Sequence, residues 1–145
     1  MKTAKEKIKK EVTHQKCDIN LRSVDVKGSL RCGSVPAEGA RVQLYRVKSE
    51  NASEIIDSRT VGPSGLFNVN GNTQGKPINQ TDIEPILRIF HKCGDDAKKT
   101  GHRRFQLGIP KDFVSNTRMA KHTYDIGEYN LDITYPGEKR DKNFQ

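Results

Sequence analysis

Three cysteines, four histidines and one dense run of basic side chains are the residues of this chain with the most chemistry to offer. Cys32 and Cys93 each close a stretch in which apolar residues alternate with polar ones, and both fall on the apolar parity. Thiols so placed either join two strands as a disulfide or lie as buried free thiols. Cys17 is the odd one and is read as a free thiol or a link between two chains. His91 precedes Cys93 by two residues on the same parity. A zinc site would need further ligands at suitable spacing, but His14, His102 and His122 are scattered and no Cys-x-x-Cys occurs. His91 is therefore expected to be structural, buried and hydrogen-bonded to backbone beside Cys93. No metal and no cofactor is expected.

The densest basic run, Lys98-Lys99-Thr100-Gly101-His102-Arg103-Arg104, follows Asp95 and Asp96. Guanidinium and ammonium groups on a loop hold phosphate or carboxylate, so Lys98, Lys99, Arg103 and Arg104 are candidates for contact with an anionic surface. The alternative is a solvated loop. Asn51-Ala52-Ser53 and Asn79-Gln80-Thr81 fit the glycosylation pattern, so Asn51 and Asn79 are acceptors if the chain enters the secretory pathway. No Gly-x-Ser-x-Gly elbow, phosphate loop or His-Glu-x-x-His motif is present. No catalytic residue is assigned, and the expectation is a binding protein rather than an enzyme.

The elements that must carry these residues are strands. Val24, Val26, Leu30 and Cys32 alternate with Asp25, Lys27, Ser29 and Arg31, the period-two signature of a half-buried strand. Arg41–Val47 alternates again, Glu54–Val61 and Leu66–Val69 read as short strands, and Gly62-Pro63-Ser64-Gly65 and Asn70-Gly71-Asn72 are turns. Pro85–Cys93 is the clearest strand, with Leu87, Ile89, His91 and Cys93 on one face. His102–Ile109 follows, then a helical turn at Lys111–Ser115 and a last strand at Asp125–Thr134, with Ile126, Leu131 and Ile133 as its apolar members. About seven short strands without a long helix predict an antiparallel two-sheet sandwich. Leu30, Leu44, Phe67, Leu87, Ile89 and Leu131 are expected in its core.

Composition bounds the rest. The 145 residues suffice for one domain, the 32% hydrophobic content is low, and the formal net charge is +8. Half of that charge lies in residues 1–23, which read as a basic, weakly structured arm. Residues 24–136 read as the domain and 137–145 as a charged, loose tail. Such an arm favours anionic partners or is simply solvated; a nucleic-acid partner is not expected. No apolar run is long enough to span a membrane, and Met1–Lys10 has no apolar stretch of the kind a secretory leader carries.

Val24-x-Val26-x-Gly28-x-Leu30-x-Cys32, the Pro36 loop, Val42-x-Leu44, Gly65-x-Phe67-x-Val69-x-Gly71, Pro85-x-Leu87-x-Ile89-x-His91-x-Cys93 and Gly127-x-x-x-Leu131 resemble, in that order, the nematode transthyretin-like family. The resemblance covers residues 24–134. It implies an all-β, prealbumin-type sandwich of about seven to eight strands, secreted to the extracellular space and non-enzymatic. It also implies a Cys32–Cys93 disulfide, which by the chain-entropy argument stabilises by roughly 4 kcal/mol. The family's understood role is bridging, in which a secreted member binds phosphatidylserine on dying cells and a phagocyte receptor. A lipid of that type and a cell-surface receptor are therefore the implied partners. Alternatives are an extracellular carrier of a small apolar ligand and a secreted effector binding a host protein. A hydrolase of this fold class ends in Tyr-Arg-Gly-Ser, whereas this chain ends Lys142-Asn143-Phe144-Gln145. The basic arm and Cys17 depart from the family pattern.

Overall fold

The computed structural model describes residues 21–49, 52–74 and 84–144. Cys17, both glycosylation acceptors Asn51 and Asn79, and residues 1–20 of the basic arm lie outside the described residues.

β1 (Ser23–Cys32) follows from its alternation: Val24, Val26 and Leu30 are fully buried, while Lys27 and Arg31 face solvent. It is the middle of a four-stranded sheet. β5 (Leu66–Asn72) and the two-residue β2 (Val35–Pro36) pair with it antiparallel, and β8 (Tyr124–Asn130) pairs with it parallel. β2 and β5 lie end to end on one side of β1, since Leu30 accepts from Ala37 N at 3.0 Å and donates to Gly65 O at 2.8 Å. β8 takes the other side.

The second sheet has the order β4 (Ala52–Thr60), β3 (Arg41–Ser49), β6 (Pro85–His91), β7 (His102–Gly108), β9 (Lys139–Asp141), with every pair antiparallel. The two sheets close on one core of Val24, Val26, Leu30, Val42, Leu44, Phe67, Val69, Leu87, Ile89, Phe105 and Leu131. All six residues expected in the core are there. Two glycines of the sequence pattern are required by space. A Cβ on Gly28 would lie 2.5 Å from Ile126 Cγ1 and 2.9 Å from the Phe67 ring, and one on Gly71 would lie 2.1 Å from Ile56 Cγ2. The glycines let side chains of β8, β5 and β4 fold over the backbone.

Cys32 at the end of β1 and Cys93 just past β6 form a disulfide, Cα–Cα 5.7 Å, that ties the two sheets together at one end. Strands Val24–Cys32 and Pro85–Cys93 thus face each other across the core. Lys111–Phe113 is a single 3-10 turn, and Phe113 packs on Tyr124 at 4.6 Å between ring centroids.

Three expectations are corrected. Asn70-Gly71-Asn72 is not a turn but the end of β5, paired with Asp25, Val24 and Ser23 of β1. The last strand does not run to Thr134. Asn130 ends it by turning its side-chain oxygen to accept Gly33 N and Asp132 N, at 2.9 and 3.1 Å. Leu131 still reaches the core, but Ile133 is 53% exposed. The stretch beyond Pro136 is not loose where it is described. Lys139–Asp141 forms β9 on the edge of β7, and the fold continues to Phe144, whose ring lies on Phe90.

Candidate binding surface

The residues singled out by sequence fall into two groups of different character. The first surrounds the disulfide. His91 Nδ1 accepts the Cys93 backbone N–H at 3.1 Å, as expected of a structural histidine beside the bridge. The neutral ring therefore carries its proton on Nε2, which is buried with no partner among the described residues. Burial, and then the positive charge of Arg103 across the strand pair, push the His91 pKa down to about 4. The ring is neutral at physiological pH. Among the described residues no group of three or more His, Cys, Asp or Glu could hold a metal ion.

Arg103 belongs to this group and not to a surface loop. It sits in β7 on the inward parity of Phe105, and its side chain is only 13% exposed. Its donors are already engaged. Nε and Nη2 grip both oxygens of Glu138 at 2.8 and 3.0 Å, Nη1 donates to Cys93 O at 2.8 Å, and Nη2 donates to Ile133 O at 3.2 Å. A bidentate, largely buried guanidinium of this kind pins the C-terminal segment to the disulfide end of the sandwich. Arg140 makes a second clasp, holding both Asp95 oxygens at 2.7 and 2.8 Å and donating to Thr100 O at 2.9 Å. The Arg140 hydrogen bonds hold the Asp95 carboxyl below the usual carboxylate range. Asp95 is thereby neutralised locally by Arg140, and Asp96 is folded back to accept Lys98 N at 3.1 Å.

The second group lies on the outer face of the five-stranded sheet. Cross-strand register places Arg41, Phe90, Arg104 and Lys139 in one row, and Gln43, Arg88 and Gln106 in the next. Arg88 lies over the Tyr45 ring at 4.3 Å and donates to Gln106 Oε1 at 3.1 Å, while the Tyr45 hydroxyl donates to Gln43 Oε1. Arg104 stands 4.0 Å from Asp141. Lys92 continues the outward parity of Arg88 and Phe90 beyond β6, and its ammonium donates to Lys99 O at 3.2 Å. Lys92, Lys98, Lys99 and Lys139 are all exposed, and none is ion-paired among the described residues. Of the four residues proposed from sequence for anionic contact, the structure thus presents Lys98, Lys99 and, partly, Arg104 outward.

The opposite outer face is different in kind. There Asp25, Asp125 and Glu128 stand among Lys27 and Arg31. Arg31 pairs with Glu128 at 2.9 Å, and Asp25 accepts from Asn68 Nδ2 at 2.7 Å and Thr123 Oγ1 at 2.5 Å. The three acids and two bases of that face nearly balance, whereas the five-stranded face carries a cationic excess.

Sequence reading missed Arg88, Lys92, Lys139 and the two arginine clasps. The inward position of Arg103 had a signal, because it shares the parity of Phe105 and Leu107. The gathering of Arg41, Arg88, Arg104 and Lys139 on one face had none, since it depends on the register of four strands.

Comparison with known proteins gives a consistent result. Residues 27–110, over half of the chain, match the transthyretin-like family (TTR-52). Transthyretin-like protein 46 of Caenorhabditis elegans is 33% identical over 121 residues, covering 83% of this chain and 65% of that protein. Transthyretin-like protein 5 of the same organism is 34% identical over 124 residues, covering 84% of this chain and 85% of that one. Transthyretin-like protein 2 is 35% identical over 121 residues, covering 82% and 81%. The chain thus spans just under two thirds of the first of these relatives and most of the other two.

Proposed function

This chain belongs to the transthyretin-like family, and from that membership we propose that it is a non-enzymatic, extracellular binding protein whose contact surface is the basic outer face of the five-stranded sheet. The observation that carries the reading is the charge asymmetry between the two outer faces, together with four exposed lysines that make no ion pair among the described residues. The disulfide between the sheets supports an oxidising compartment.

The partner we propose is an anionic lipid surface of the phosphatidylserine type. Each Lys or Arg near an anionic bilayer contributes on the order of 1 kcal/mol. Lys92, Lys98, Lys99 and Lys139 together supply about 4 kcal/mol, or roughly millimolar attachment. Arg88 and Arg104 on the same face raise this to about 6 kcal/mol, in the tens of micromolar. Attachment of this origin is screened by salt on the scale of the Debye length.

The test is sedimentation with vesicles of phosphatidylcholine alone and of phosphatidylcholine with phosphatidylserine, at low and at physiological salt. Binding confined to the serine-containing vesicles and weakened by salt is expected. Equal sedimentation with both vesicle types, or none with either at low salt, overturns the proposal.

A further inference from the structure

Outward positions of a two-sheet sandwich are ordinarily polar, yet Phe90 on the outer face is only 2% exposed. The ring that covers it is Phe144, stacked parallel with centroids 3.8 Å apart and planes 6° from parallel. How Phe144 arrives there is specific. β9 adds to the edge of β7 with the pairs Arg104↔Lys139, Arg103↔Arg140 and His102↔Asp141. The Asp141 carboxylate then accepts Asn143 N and Phe144 N at 3.0 and 3.1 Å, curling the chain back over the sheet. His102 meets the Phe144 ring edge-on at 5.1 Å, with its Nδ1 3.1 Å from Phe144 O, and the Arg41 guanidinium lies over that ring at 5.2 Å. Arg104, beside Phe90 in the same row, faces Asp141 at 4.0 Å.

These contacts describe a receptor in two parts. One is the ladder edge of β7, and the other is an aromatic platform at Phe90 rimmed by Arg41, His102 and Arg104. We propose that this is a peptide-docking site. It takes a short extended segment of a partner protein that carries a carboxylate and, three residues later, an aromatic ring, with the chain's own residues 139–144 as its resident ligand. Strand addition to an edge supplies main-chain hydrogen bonds, and the ring pocket supplies selectivity. An aromatic anchor in a desolvated seat ringed by arginines has the make-up of an interface hot spot. The resident segment contributes three paired residues, the Arg140 clasp on Asp95 and one ring, and Glu138 on its N-terminal side remains clasped by Arg103. Displacement of residues 139–144 therefore costs the Arg140 clasp but leaves the disulfide and the Arg103 clasp closing the sandwich. A tethered segment competes at an effective concentration on the order of millimolar, so the site is shut to weaker partners until the Phe144 ring is lifted.

The experiment uses the full chain and a fluorescein-labelled peptide of its own sequence, Glu-Lys-Arg-Asp-Lys-Asn-Phe, read by fluorescence anisotropy. Phe144→Ala is expected to bind the peptide at least about tenfold more tightly than the parent. Asn143→Pro, which removes one of the two bonds that curl the strap, is expected to act in the same direction and guards against a variant that fails to fold. Adding Phe90→Ala to Phe144→Ala, or replacing the phenylalanine of the peptide by alanine, is expected to abolish the gain. Equal binding by parent and both opened variants, no binding by either opened variant with its circular dichroism unchanged, or full binding by the Phe90→Ala double variant overturns the proposal.

Discussion

Replacing both bridge cysteines, Cys32→Ala with Cys93→Ala, should destabilise the fold by an amount that the structure allows to be worked out. The bridge spans 61 residues of sequence. In the chain-entropy model, freeing a loop of that length returns about 14 cal/mol/K to the unfolded ensemble, or roughly 4 kcal/mol at 25 °C. The loss falls on the unfolded side, because the folded variant keeps Arg103 on the backbone O of residue 93 and on Glu138, and the core of Leu30, Leu87, Ile89 and Leu131 stays buried. Against a typical total of about 5–15 kcal/mol, the variant still folds at 25 °C but with much of its margin gone. The assay is equilibrium unfolding in guanidinium followed by far-ultraviolet circular dichroism. Two changes are expected together: a fall of about 4 kcal/mol in the extrapolated stability, and a rise in the slope m, since an unfolded chain without the cross-link exposes more surface. A loss below about 1 kcal/mol with m unchanged would refute the reasoning, and would mean that the arginine clasp alone holds the sheets at that end.

Three further outcomes follow from the same region and the core. His91 is neutral in the folded chain to about pH 4, but the unfolded side chain takes its proton near 6.5, so stability is flat above pH 7 and falls as pH drops from about 6.5 to 4. The fall is at most about 1.4 kcal/mol per unit, on the order of 3 kcal/mol in all, and His91→Asn, which keeps an acceptor for Cys93 N–H, should flatten that window in denaturation curves taken at stepped pH. Arg103→Ala should cost about 3–5 kcal/mol by leaving the Glu138 carboxylate buried without its partner, and Glu138→Gln in the same chain should recover part of the loss in thermal melts. Gly28→Val should cost on the order of 1–3 kcal/mol in the same melts, because its Cβ meets Ile126 and the Phe67 ring, whereas Gly108→Ala, where a Cβ meets nothing within 4 Å, should be near neutral.

What could be read from the residues was the half of the molecule that faces inward. Alternation in Val24–Cys32 and Pro85–Cys93 named both the strands and the side that packs, so Leu30, Leu87, Ile89, Cys32 and Cys93 fell where the pleat required. The expectation for Ile133 failed because alternation was extended through a point where Asn130 turns the chain with its own side chain, and no apolar pattern reports such a turn. β9 was invisible for a different reason. Lys139-Arg140-Asp141 has no apolar member, and a charged three-residue edge strand is held by backbone pairing and by the clasps of Arg140 on Asp95 and of Glu138 on Arg103, whose partners Asp95 and Arg103 are remote in sequence. The basic run Lys98–Arg104 reads from sequence as one cluster, but period two divides it. Arg103 turns inward to Glu138, while Arg104 joins Arg88 and Lys139 on the outer face. That face is a product of register, and register is settled by the whole sheet.

The proposal that the five-stranded face meets an anionic surface is tested most directly by moving equal charge on that face and away from it. One variant reverses Lys92, Lys98, Lys99 and Lys139 to glutamate, and the other reverses Lys27 and Arg31 of β1 with Lys111 and Lys121 of the segment between β7 and β8, so that both have the same net charge and all eight positions are solvent-exposed. Sedimentation with phosphatidylserine-containing vesicles at low salt is predicted to be lost in the first variant and retained, weakened only by the smaller net charge, in the second. Equal loss in both would show that net charge alone draws the protein to the vesicle, and retention in the first would show that contact is made elsewhere; either result contradicts the assignment of the five-stranded face.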